Sequence, residues 1–384
     1  MKNILIAHQS TIPHYRIAFY NALERLRPTT WCFDVVFDPS EASIKRFFKE
    51  PLDPQVFEFS ILSTKTFTVR LGSKMFSYQT FWAKAARYDL VVVENAVNNL
   101  TYPLCHFHQL WGKRIAYWGH GKDRSIEDLS WFKAISERLK LILTRRADGF
   151  FAYTQGVKNY LEQNGVPAQK IFVLNNTIDI AEQRDIFVRF NLRRTELKEE
   201  LGVQGKKVLL FVGRFTSNKR IDFLLQAFAT LCDMRSDVHL FLVGSGGESY
   251  LHQKLNQAVL DKITYFGTVI DPEKLAPIYI ASDIFAFPGS VGLGPLQALC
   301  YDLPVMTVDS PTHMPEIEYL SPQNSIILSS STTPEEFACM LQEFFSDTAR
   351  LTSLRATTWP SIQHLTIEGM AQNFIEGVNT MLDL

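Results

Sequence analysis

The sequence predicts an α/β protein built from two Rossmann-like, doubly wound domains that face each other across a cleft. Its 384 residues exceed what one ordinary hydrophobic core accommodates, so two domains are expected. Short β-rich runs alternate with helical periods in both halves, which is the pattern of parallel sheets covered by helices. The alternation stops in the polar segment 175–204 and then restarts. We therefore expect one domain over 1–174, completed by a C-terminal helix near 360–384, and a second domain over 175–359.

The first half contains apolar runs with few polar interruptions, which predict strands buried on both faces. Helices are assigned where apolar residues recur at three- and four-residue spacing. In chain order the predicted elements are the strand Ile4 to Ala7, the helix Tyr15 to Leu26, the strands Phe33 to Phe37, Leu90 to Val93 and Arg114 to Tyr117, the helix Glu127 to Arg146, the strand Gly149 to Tyr153, the helix Gly156 to Asn164 and the strand Ile171 to Leu174.

The second half repeats the alternation after a segment interpreted as a domain connection followed by a short helix. Its last helix carries one apolar stripe and is long enough to cross back onto the first domain. The predicted elements are the strand Val208 to Val212, the helix Ile221 to Cys232, the strand Val238 to Val243, the helix Ser249 to Val259, the strand Thr264 to Phe266, the helix Pro272 to Ile280, the strand Ile284 to Phe287, the helix Pro295 to Tyr301, the strand Val305 to Val308 and the helix Ser361 to Leu382.

The composition is that of a soluble globular protein, with 46% hydrophobic and 21% charged residues. No apolar run reaches the roughly 18 residues that a membrane span needs. The first ten residues predict a strand rather than a secretory leader, because their apolar run is short. The five cysteines are scattered, which favours a reducing compartment and argues against a structural zinc site. A cytoplasmic protein is expected.

The net charge of −1 conceals an asymmetry between the two halves. Residues 1–170 contain 23 basic and 15 acidic side chains, whereas residues 171–384 contain 16 basic and 25 acidic ones. The basic half is therefore expected to meet an anionic partner such as a membrane surface, a nucleic acid or a phosphorylated acceptor, unless the charges only affect how the halves associate. The basic, amphipathic stretch Trp131 to Arg146 would suit a helix lying on the inner face of the cytoplasmic membrane, or one packed on the sheet.

The turn from Pro288 to Gly294 lies between a predicted strand and a predicted helix. Its small residues would let backbone amides approach a ligand, and the helix start would add a partial positive charge. An anion-binding turn and a plain glycine-rich turn are both consistent with this pattern.

Arg214 and Lys219 follow the strand Val208 to Val212 and are five residues apart. A guanidinium can bind two phosphate oxygens at once, and an ammonium acts as a movable point charge, so the pair suits a pyrophosphate. If a diphosphate leaves during a reaction, one such donor stabilises its charge by on the order of 3 kcal/mol. The alternative is a solvated helix start, which is less favourable for a lysine near the positive end of a helix.

Three further positions in the first half are candidates for ligand contact. His120 is flanked by two glycines at a strand end, where its imidazole could hydrogen-bond a ligand hydroxyl or simply pack. His14, Tyr15 and Arg16 open the first helix and are candidate acceptor-binding residues; the alternative places Tyr15 in the core and Arg16 in solvent. No acidic D-x-D motif follows a strand, so no metal requirement is expected.

Several segments, in this order, resemble the family-4 glycosyltransferases, which have the type-B fold of two Rossmann-like domains. The segments are IPHYRIAFYNAL, AYWGHGKD, RADGFFAYTQGVKNYLEQNGVPAQKIFVLNNTID, VLLFVGRFTSNKRIDFLLQAF, LVGSGGESYLHQKL, ITYFGTV and GPLQALCYDLPVMT. The resemblance spans nearly the whole chain.

The resemblance implies transfer of a sugar from a nucleotide-diphosphate donor, UDP- or GDP-linked, to a glycan or lipid-linked glycan of a bacterial-type surface polysaccharide. It also implies retention of anomeric configuration, no cofactor, no metal and no nucleic-acid partner. The implied catalytic residues are His120, Arg214 and Lys219. The implied donor-binding residues are Gly213, Arg214, Lys219, Gly244, Gly267, Val269, Gly289, Ser290, Val291, Gly292, Leu293, Gly294 and Gln297, and the acceptor-binding residues are His14, Tyr15 and Arg16.

One departure concerns the two glutamates that the family usually carries eight positions apart. Gly289 and Gln297 stand there in this chain. Gln297 can still hydrogen-bond a ribose, but Gly289 cannot replace a carboxylate, which leaves the sugar contact and the retention open. Asp309, His313 and Glu316 are candidates to compensate. The alternatives are a type-B-fold epimerase or phosphorylase and a non-catalytic sugar-nucleotide binder.

Overall fold

Two separate parallel sheets form the framework of the protein, as the alternation of strands and helices predicts. The computed structural model describes residues 1–8, 12–40, 56–71, 74–122, 131–247, 250 and 255–384. The chain divides into a first unit, Met1–Asp179 with Leu365–Leu384, and a second unit, Ile180–His364. No helix in the described ranges is both long enough and apolar enough to cross a bilayer.

The strands of the described residues are short and mostly buried. They are β1 Lys2–Ala7, β2 Trp31–Phe37, β3 Ser60–Ser63, β4 Thr66–Leu71, β5 Lys74–Gln79, β6 Leu90–Glu94, β7 Arg114–Gly119, β8 Gly149–Ala152, β9 Ile171–Val173, β10 Lys207–Val212, β11 Val238–Val243, β12 Ile263–Tyr265, β13 Ile284–Ala286, β14 Val305–Val308 and β15 Ser325–Leu328.

The α-helices of the described residues mostly lie between successive strands, and the last three follow one another at the end of the chain. They are α1 Ile17–Leu26, α2 Trp82–Ala85, α3 Thr101–Cys105, α4 Trp131–Arg146, α5 Gln155–Gln163, α6 Ile180–Phe190, α7 Arg194–Glu200, α8 Ile221–Met234, α9 Gln257–Leu260, α10 Pro272–Ala281, α11 Gly294–Cys300, α12 Pro334–Ser346, α13 Thr348–Ile362 and α14 Ile367–Leu382.

The first unit contains a seven-stranded parallel sheet in the order β3-β2-β1-β6-β7-β8-β9. Successive residues of β1 serve opposite faces: Ile4 and Ile6 belong to one hydrophobic cluster, and Leu5 and Ala7 to another. Both faces are therefore covered, which explains why the central strands are almost uniformly apolar.

The C-terminal helix α14 packs on the first unit's sheet and against α1. Phe374 stacks on Phe151 of β8 at 4.3 Å between ring centroids and lies edge-on to Phe19 of α1. Gly377 allows the close approach, because a Cβ there would lie 2.9 Å from the Phe172 ring and would clash with Phe151.

The second unit contains a six-stranded parallel sheet in the order β12-β11-β10-β13-β14-β15. Its central strands β10 and β13 carry no exposed residue. The carboxyl ends of these strands share one edge of the sheet, so the loops that follow them lie side by side.

The structure corrects several predicted elements. The predicted helix Ser361 to Leu382 is wrong at its start: α13 ends at Ile362, and Thr366 begins α14 by accepting a hydrogen bond from the Gly369 N–H at 2.9 Å. The connection over 175–204 contains two helices, α6 and α7, rather than one. The N-terminal part of the predicted helix Glu127 to Arg146 and most of the predicted helix Ser249 to Val259 lie outside the described residues.

Candidate active site

Three glycines bring the ends of β10, β11 and β12 close together in the second unit. Gly244, after β11, has φ of +145°, and its N–H donates to the Gly267 carbonyl at 2.7 Å. A Cβ on Gly244 would lie 2.7 Å from the Gly213 carbonyl carbon, so only glycine fits. Gly267 also adopts a positive φ, +66°, and the half-buried Val269 lies two residues beyond it. The structure therefore places four of the predicted donor-binding positions along one sheet edge.

Gly289, after β13, packs directly on the backbone of Lys219. A Cβ at this position would lie 2.5 Å from the Lys219 carbonyl oxygen and closer still to its Cα. The neighbouring Ser290 N–H donates to the Asn218 carbonyl at 2.8 Å, which fixes the same contact. The space that a side chain at 289 would need is occupied by backbone, so glycine is required there.

Lys219 is held at this contact with its ammonium only partly exposed. Its Nζ donates to the Ser290 carbonyl and lies 5.0 Å from the centroid of the Phe287 ring. Burial, and then the charge of Arg214, lower the pKa of Lys219 to about 8. Arg214 itself is exposed. The two predicted cations are thus near enough to repel each other, which a bound anion would relieve.

The glycine-rich turn uses two of its amides for hydrogen bonds within the protein. The Ser290 N–H is bonded as described above, and the Val291 N–H donates to His313 Nδ1 at 3.0 Å. His313 is buried, and its Nε2 donates to the Val308 carbonyl at 3.0 Å. Both ring nitrogens of His313 therefore bond the protein backbone, and His313 braces the turn.

The later part of the turn keeps its amides available. Within the described ranges, the N–H groups of Gly292, Leu293 and Gly294 have no hydrogen-bond acceptor. All three residues are partly exposed at the start of α11. These are the amides of the turn that can meet a ligand.

Gln297 is hydrogen-bonded within the protein. Asp309 and Glu316, which were predicted to compensate for the glutamate that Gly289 replaces, differ from each other in exposure. The Gln297 Nε2 donates to Gln183 Oε1 at 3.0 Å, and its Oε1 accepts from the Tyr279 hydroxyl at 3.4 Å. Asp309 is exposed just after β14, whereas Glu316 is buried in the short 3-10 helix Pro315–Tyr319. The carboxamide of Gln297 is therefore engaged with protein partners in this structure.

In the first unit, His120 lies exposed at the end of β7. Its ring meets the Tyr153 ring edge-on at 4.7 Å between centroids. Gly119 and Gly121 have φ of +137° and +74°, and a Cβ on Gly121 would lie 3.0 Å from Val157. The two glycines thus allow the positive φ angles of this turn, and Gly121 also allows close packing against Val157. The His120 imidazole remains at the surface.

Arg16 is buried, which overturns the alternative that placed it in solvent and Tyr15 in the core. Its guanidinium lies 5.1 to 5.4 Å from the ring centroids of Tyr15, Trp118 and Tyr153. Its Nη2 donates to Asn176 Oδ1, while Nε has no acceptor in the described part of the chain. Tyr15 is 38% exposed and His14 is also exposed. Of the three predicted acceptor residues, His14 and Tyr15 are open to a ligand.

A buried histidine that the sequence analysis missed lies beside this arginine. His8, which follows β1, contacts Glu94 through Nδ1 at 2.9 Å and the Tyr20 hydroxyl through Nε2 at 2.6 Å. Its ring also lies 4.9 Å from the Trp118 ring. Burial lowers the pKa of His8, and the bond to Glu94 opposes that shift. The pairing of β1 with β6 brings these groups together, a contact that sequence spacing does not reveal.

Two family models match the chain, one in each half. The model described as "Glycosyltransferase Family 4" matches residues 48–182, and that described as "Glycosyl transferases group 1" matches residues 206–347. Together they cover more than half of the chain. The chain belongs to the family-4 glycosyltransferases. This family assignment confirms the resemblance drawn from the motifs.

Curated relatives match this family-4 chain over part of their length. Spore coat protein SA of Bacillus subtilis is 27% identical over 170 residues, which are 41% of this chain and 44% of the relative. Alpha-monoglucosyldiacylglycerol synthase of Streptococcus pneumoniae is 30% identical over 173 residues, which are 43% of this chain and 38% of the relative. The chain spans about half the length of the first curated relatives that it matches.

Solved structures match this family-4 chain over nearly its full length. Anabaena HepE in complex with UDP has a TM-score of 0.71 at 16% identity, covering 98% of this chain and 99% of HepE. Sucrose-phosphate synthase of Thermosynechococcus elongatus has a TM-score of 0.65 at 16% identity, covering 100% of both chains. The likeness confirms the predicted fold class, the type-B fold of two Rossmann-like domains.

Proposed function

We propose that the protein transfers a sugar from a nucleoside-diphosphate donor to a glycan or lipid-linked glycan acceptor. The observation that carries the proposal is the pair Arg214 and Lys219, which lies at the carboxyl edge of the second unit's sheet beside the glycine-rich turn. Ligands of open α/β sheets bind at that edge. The family membership and the UDP bound to HepE support a nucleotide donor.

The two cations act on the charge that develops when the donor bond breaks. Arg214 is exposed and can bind two oxygens of a diphosphate, and Lys219 meets it from the partly buried side. A departing nucleoside diphosphate gains negative charge in the transition state, so these donors stabilise it more than the intact donor. Binding the diphosphate also removes the mutual repulsion of the two cations.

The other contacts with the donor are assigned to groups of the second unit. The amides of Gly292, Leu293 and Gly294 bind the phosphate and sugar oxygens, and Gly267 and Val269 border the base. Gln297 meets the ribose by exchanging its bond to Gln183. We include retention of configuration and metal independence in the proposal, supported by the family resemblance.

The first unit binds the acceptor through exposed groups. His14, Tyr15 and His120 are exposed, and we assign His14 and Tyr15 to the acceptor and His120 to the transferred sugar. The name of the S. pneumoniae relative, alpha-monoglucosyldiacylglycerol synthase, supports a lipid-linked acceptor.

An exposed apolar face on α4 supports a peripheral position on the anionic inner face of the cytoplasmic membrane. Ile135, Leu139 and Ile142 are 55%, 43% and 37% exposed, and their spacing puts them on one side of the helix. Arg138 and Arg145 are exposed next to this stripe. Apolar side chains flanked by cations are typical of helices that lie on anionic membranes.

A panel of UDP, GDP and dTDP sugars tests the function. Nucleotide release that requires an acceptor supports transfer, whereas sugar interconversion without acceptor would indicate an epimerase, and binding without turnover a non-catalytic binder. The Arg214→Ala/Lys219→Ala variant is expected to lose donor turnover by about 100-fold or more. Lys274→Ala is the matched control, because the Lys274 side chain is exposed and lies outside the proposed donor site. Its donor turnover should stay near that of the wild type.

A further inference from the structure

One buried carboxylate at the amino edge of the second unit's sheet is surrounded by an excess of cations. Asp283 lies just before β13, and its Oδ1 accepts from Arg194 Nη2 at 2.8 Å and Arg355 Nη2 at 3.2 Å. Its Oδ2 accepts from Lys198 Nζ at 2.9 Å and the Val208 N–H at 2.8 Å. Two carboxylate oxygens offer about four lone-pair sites, so Asp283 is saturated. Three positive side chains share one negative one.

A pocket of about 320 Å³ lies directly against this cluster. Seven residues line it, and four of them are the cations Arg194, Lys198, Lys206 and Lys207, with no acidic side chain among the seven. Its volume is at the lower end of the range for small-molecule sites. The pocket therefore has the size for a small ligand and a lining of a single charge sign.

The acidic groups next to the pocket do not neutralise its lining. Asp283 is shared as described. Asp237, which immediately precedes β11 beside Lys207, pairs with Arg235 at 2.9 Å, so its single charge is divided between Arg235 and Lys207. Arg355 does not line the pocket but bonds the same carboxylate, and its buried Nε has no acceptor in the described part of the chain. Burial, and then the charge of Arg194, lower the pKa of Arg355 to about 10, as expected where positive charge is in excess.

We propose that this pocket is a second anion site, which binds a small molecule that carries a phosphate group. Guanidinium forks and ammonium groups are the side chains that recognise phosphate oxygens. The site is separate from the proposed diphosphate position, because β10 runs between Lys206 and Gly213 and its six residues span roughly 20 Å. The inference does not depend on the proposed transferase activity, since it concerns the opposite edge of the same sheet.

Calorimetric titration of the full chain with inorganic phosphate, in a phosphate-free buffer at low salt, tests the site. The Arg214→Ala/Lys219→Ala variant should still bind phosphate, because only the proposed donor position is altered. The Lys206→Gln/Lys207→Gln variant should bind it at least tenfold more weakly, and Lys206→Arg/Lys207→Arg should bind it like wild type because the charge is kept. Circular dichroism of each variant establishes that the fold is retained.

A parallel titration with glucose 6-phosphate and glucose identifies the source of the phosphate. Tighter binding of glucose 6-phosphate than of inorganic phosphate supports a phosphorylated metabolite, equal binding supports free phosphate, and glucose alone should not bind. Loss of phosphate binding only in Arg214→Ala/Lys219→Ala would overturn the proposal, as would unchanged affinity in Lys206→Gln/Lys207→Gln. A protein that binds phosphate here but transfers no sugar would refute the proposed function and leave this inference standing.

Discussion

Gly289 stands at a position where the family resemblance predicts a glutamate, and the structure gives a steric reason for the glycine. A glycine in place of the glutamate is consistent with either a lost function or a different local structure. The Lys219 backbone occupies the space that any side chain at 289 would need. The glycine therefore belongs to a tight contact that also positions the Lys219 ammonium against the turn.

We predict that Gly289→Ala lowers the free energy of unfolding by about 1–3 kcal/mol, because the added Cβ overpacks against immobile backbone. Chemical denaturation measures this change. Gly292→Ala is the matched control in the same turn, since its Cβ would meet only Met314 at an ordinary 3.9 Å. Equal stability of the two variants would contradict the prediction.

Lys219 gives the donor site a dependence on pH. Its pKa of about 8 in the folded protein lies below the 10.5 of a free lysine, so about half of the ammonium groups have lost their proton at pH 8 and most of them at higher pH. We predict that UDP affinity falls by about tenfold or more as the pH rises through 8, and that Lys219→Arg removes this fall. Calorimetric titration over that pH range measures both; a parallel decline in the two proteins would exclude Lys219 as the cause.

The lowered pKa of Lys219 affects folding stability in the direction opposite to its effect on UDP affinity. Between about pH 8 and 10.5 the unfolded state binds more protons at Lys219 than the folded state does, so this group adds to stability as the pH rises.

Arg16 is a buried charge without a carboxylate partner among the described residues. Its planar guanidinium bonds Asn176 and lies among three aromatic rings at the same time, whereas the compact ammonium of lysine lacks this planar group with several donors. We predict that Arg16→Lys lowers the free energy of unfolding by about 1–3 kcal/mol. Arg25→Lys, at an exposed ion pair with Glu58, should change it by less than about 1 kcal/mol. Chemical denaturation of both variants measures the two changes in the free energy of unfolding, and equal changes would contradict the prediction.

At the scale of elements, the sequence analysis located helices and strands best where burial and periodicity agree. The apolar runs of β6 and β10 predicted their strands to within one residue at each end, and β1 begins two residues earlier than predicted. The hairpin β4–β5 was missed, although Phe67, Val69 and Leu71 alternate with polar residues along β4, which is a strand signal. These side chains are 57–65% exposed, so the strand has no buried face. The break before α14 was also missed, although Thr366 ahead of an apolar run is a recognisable helix-start signal.

The stripe on α4 predicts an outcome for membrane binding. We expect flotation with vesicles that contain anionic lipid and none with neutral vesicles, and Ile135→Asp/Leu139→Asp should abolish it because it places charge on the buried side of the interface. Leu192→Asp, at a position 94% exposed in the second unit, is the matched control and should float like wild type. Flotation that is independent of the α4 substitutions would exclude this helix as the contact.

At the scale of the whole molecule, the order of motifs predicted the family and the two-sheet fold, and the structure and comparisons confirm both. The site could be predicted only in part. Arg214 and Lys219 are neighbours in sequence, so their motif places them together. The contacts of Arg16 with Asn176, of His8 with Glu94 and of Gln297 with Gln183 join distant segments, and only the folded topology reveals them.

The first unit is built from both ends of the described chain, which predicts a selective effect of truncation. A chain that stops at His364 lacks α14 and leaves the Phe151 and Phe19 rings uncovered. We predict faster amide hydrogen exchange throughout the sheet of the first unit, with β10 to β15 as protected as in the full chain. Equal loss of protection in both sheets would contradict this independence.

The placement of α14 also bears on the order in which the protein is made. At about 5–20 residues per second, residues 180–364 take on the order of 10–40 s to synthesise, and only then does translation reach the helix that covers the first sheet. The first unit is therefore the first to be started during synthesis and the last to be completed. During that interval the Phe151 and Phe19 rings, which α14 covers in the folded protein, are exposed on the nascent chain, and we expect chaperones that bind hydrophobic segments to recognise them.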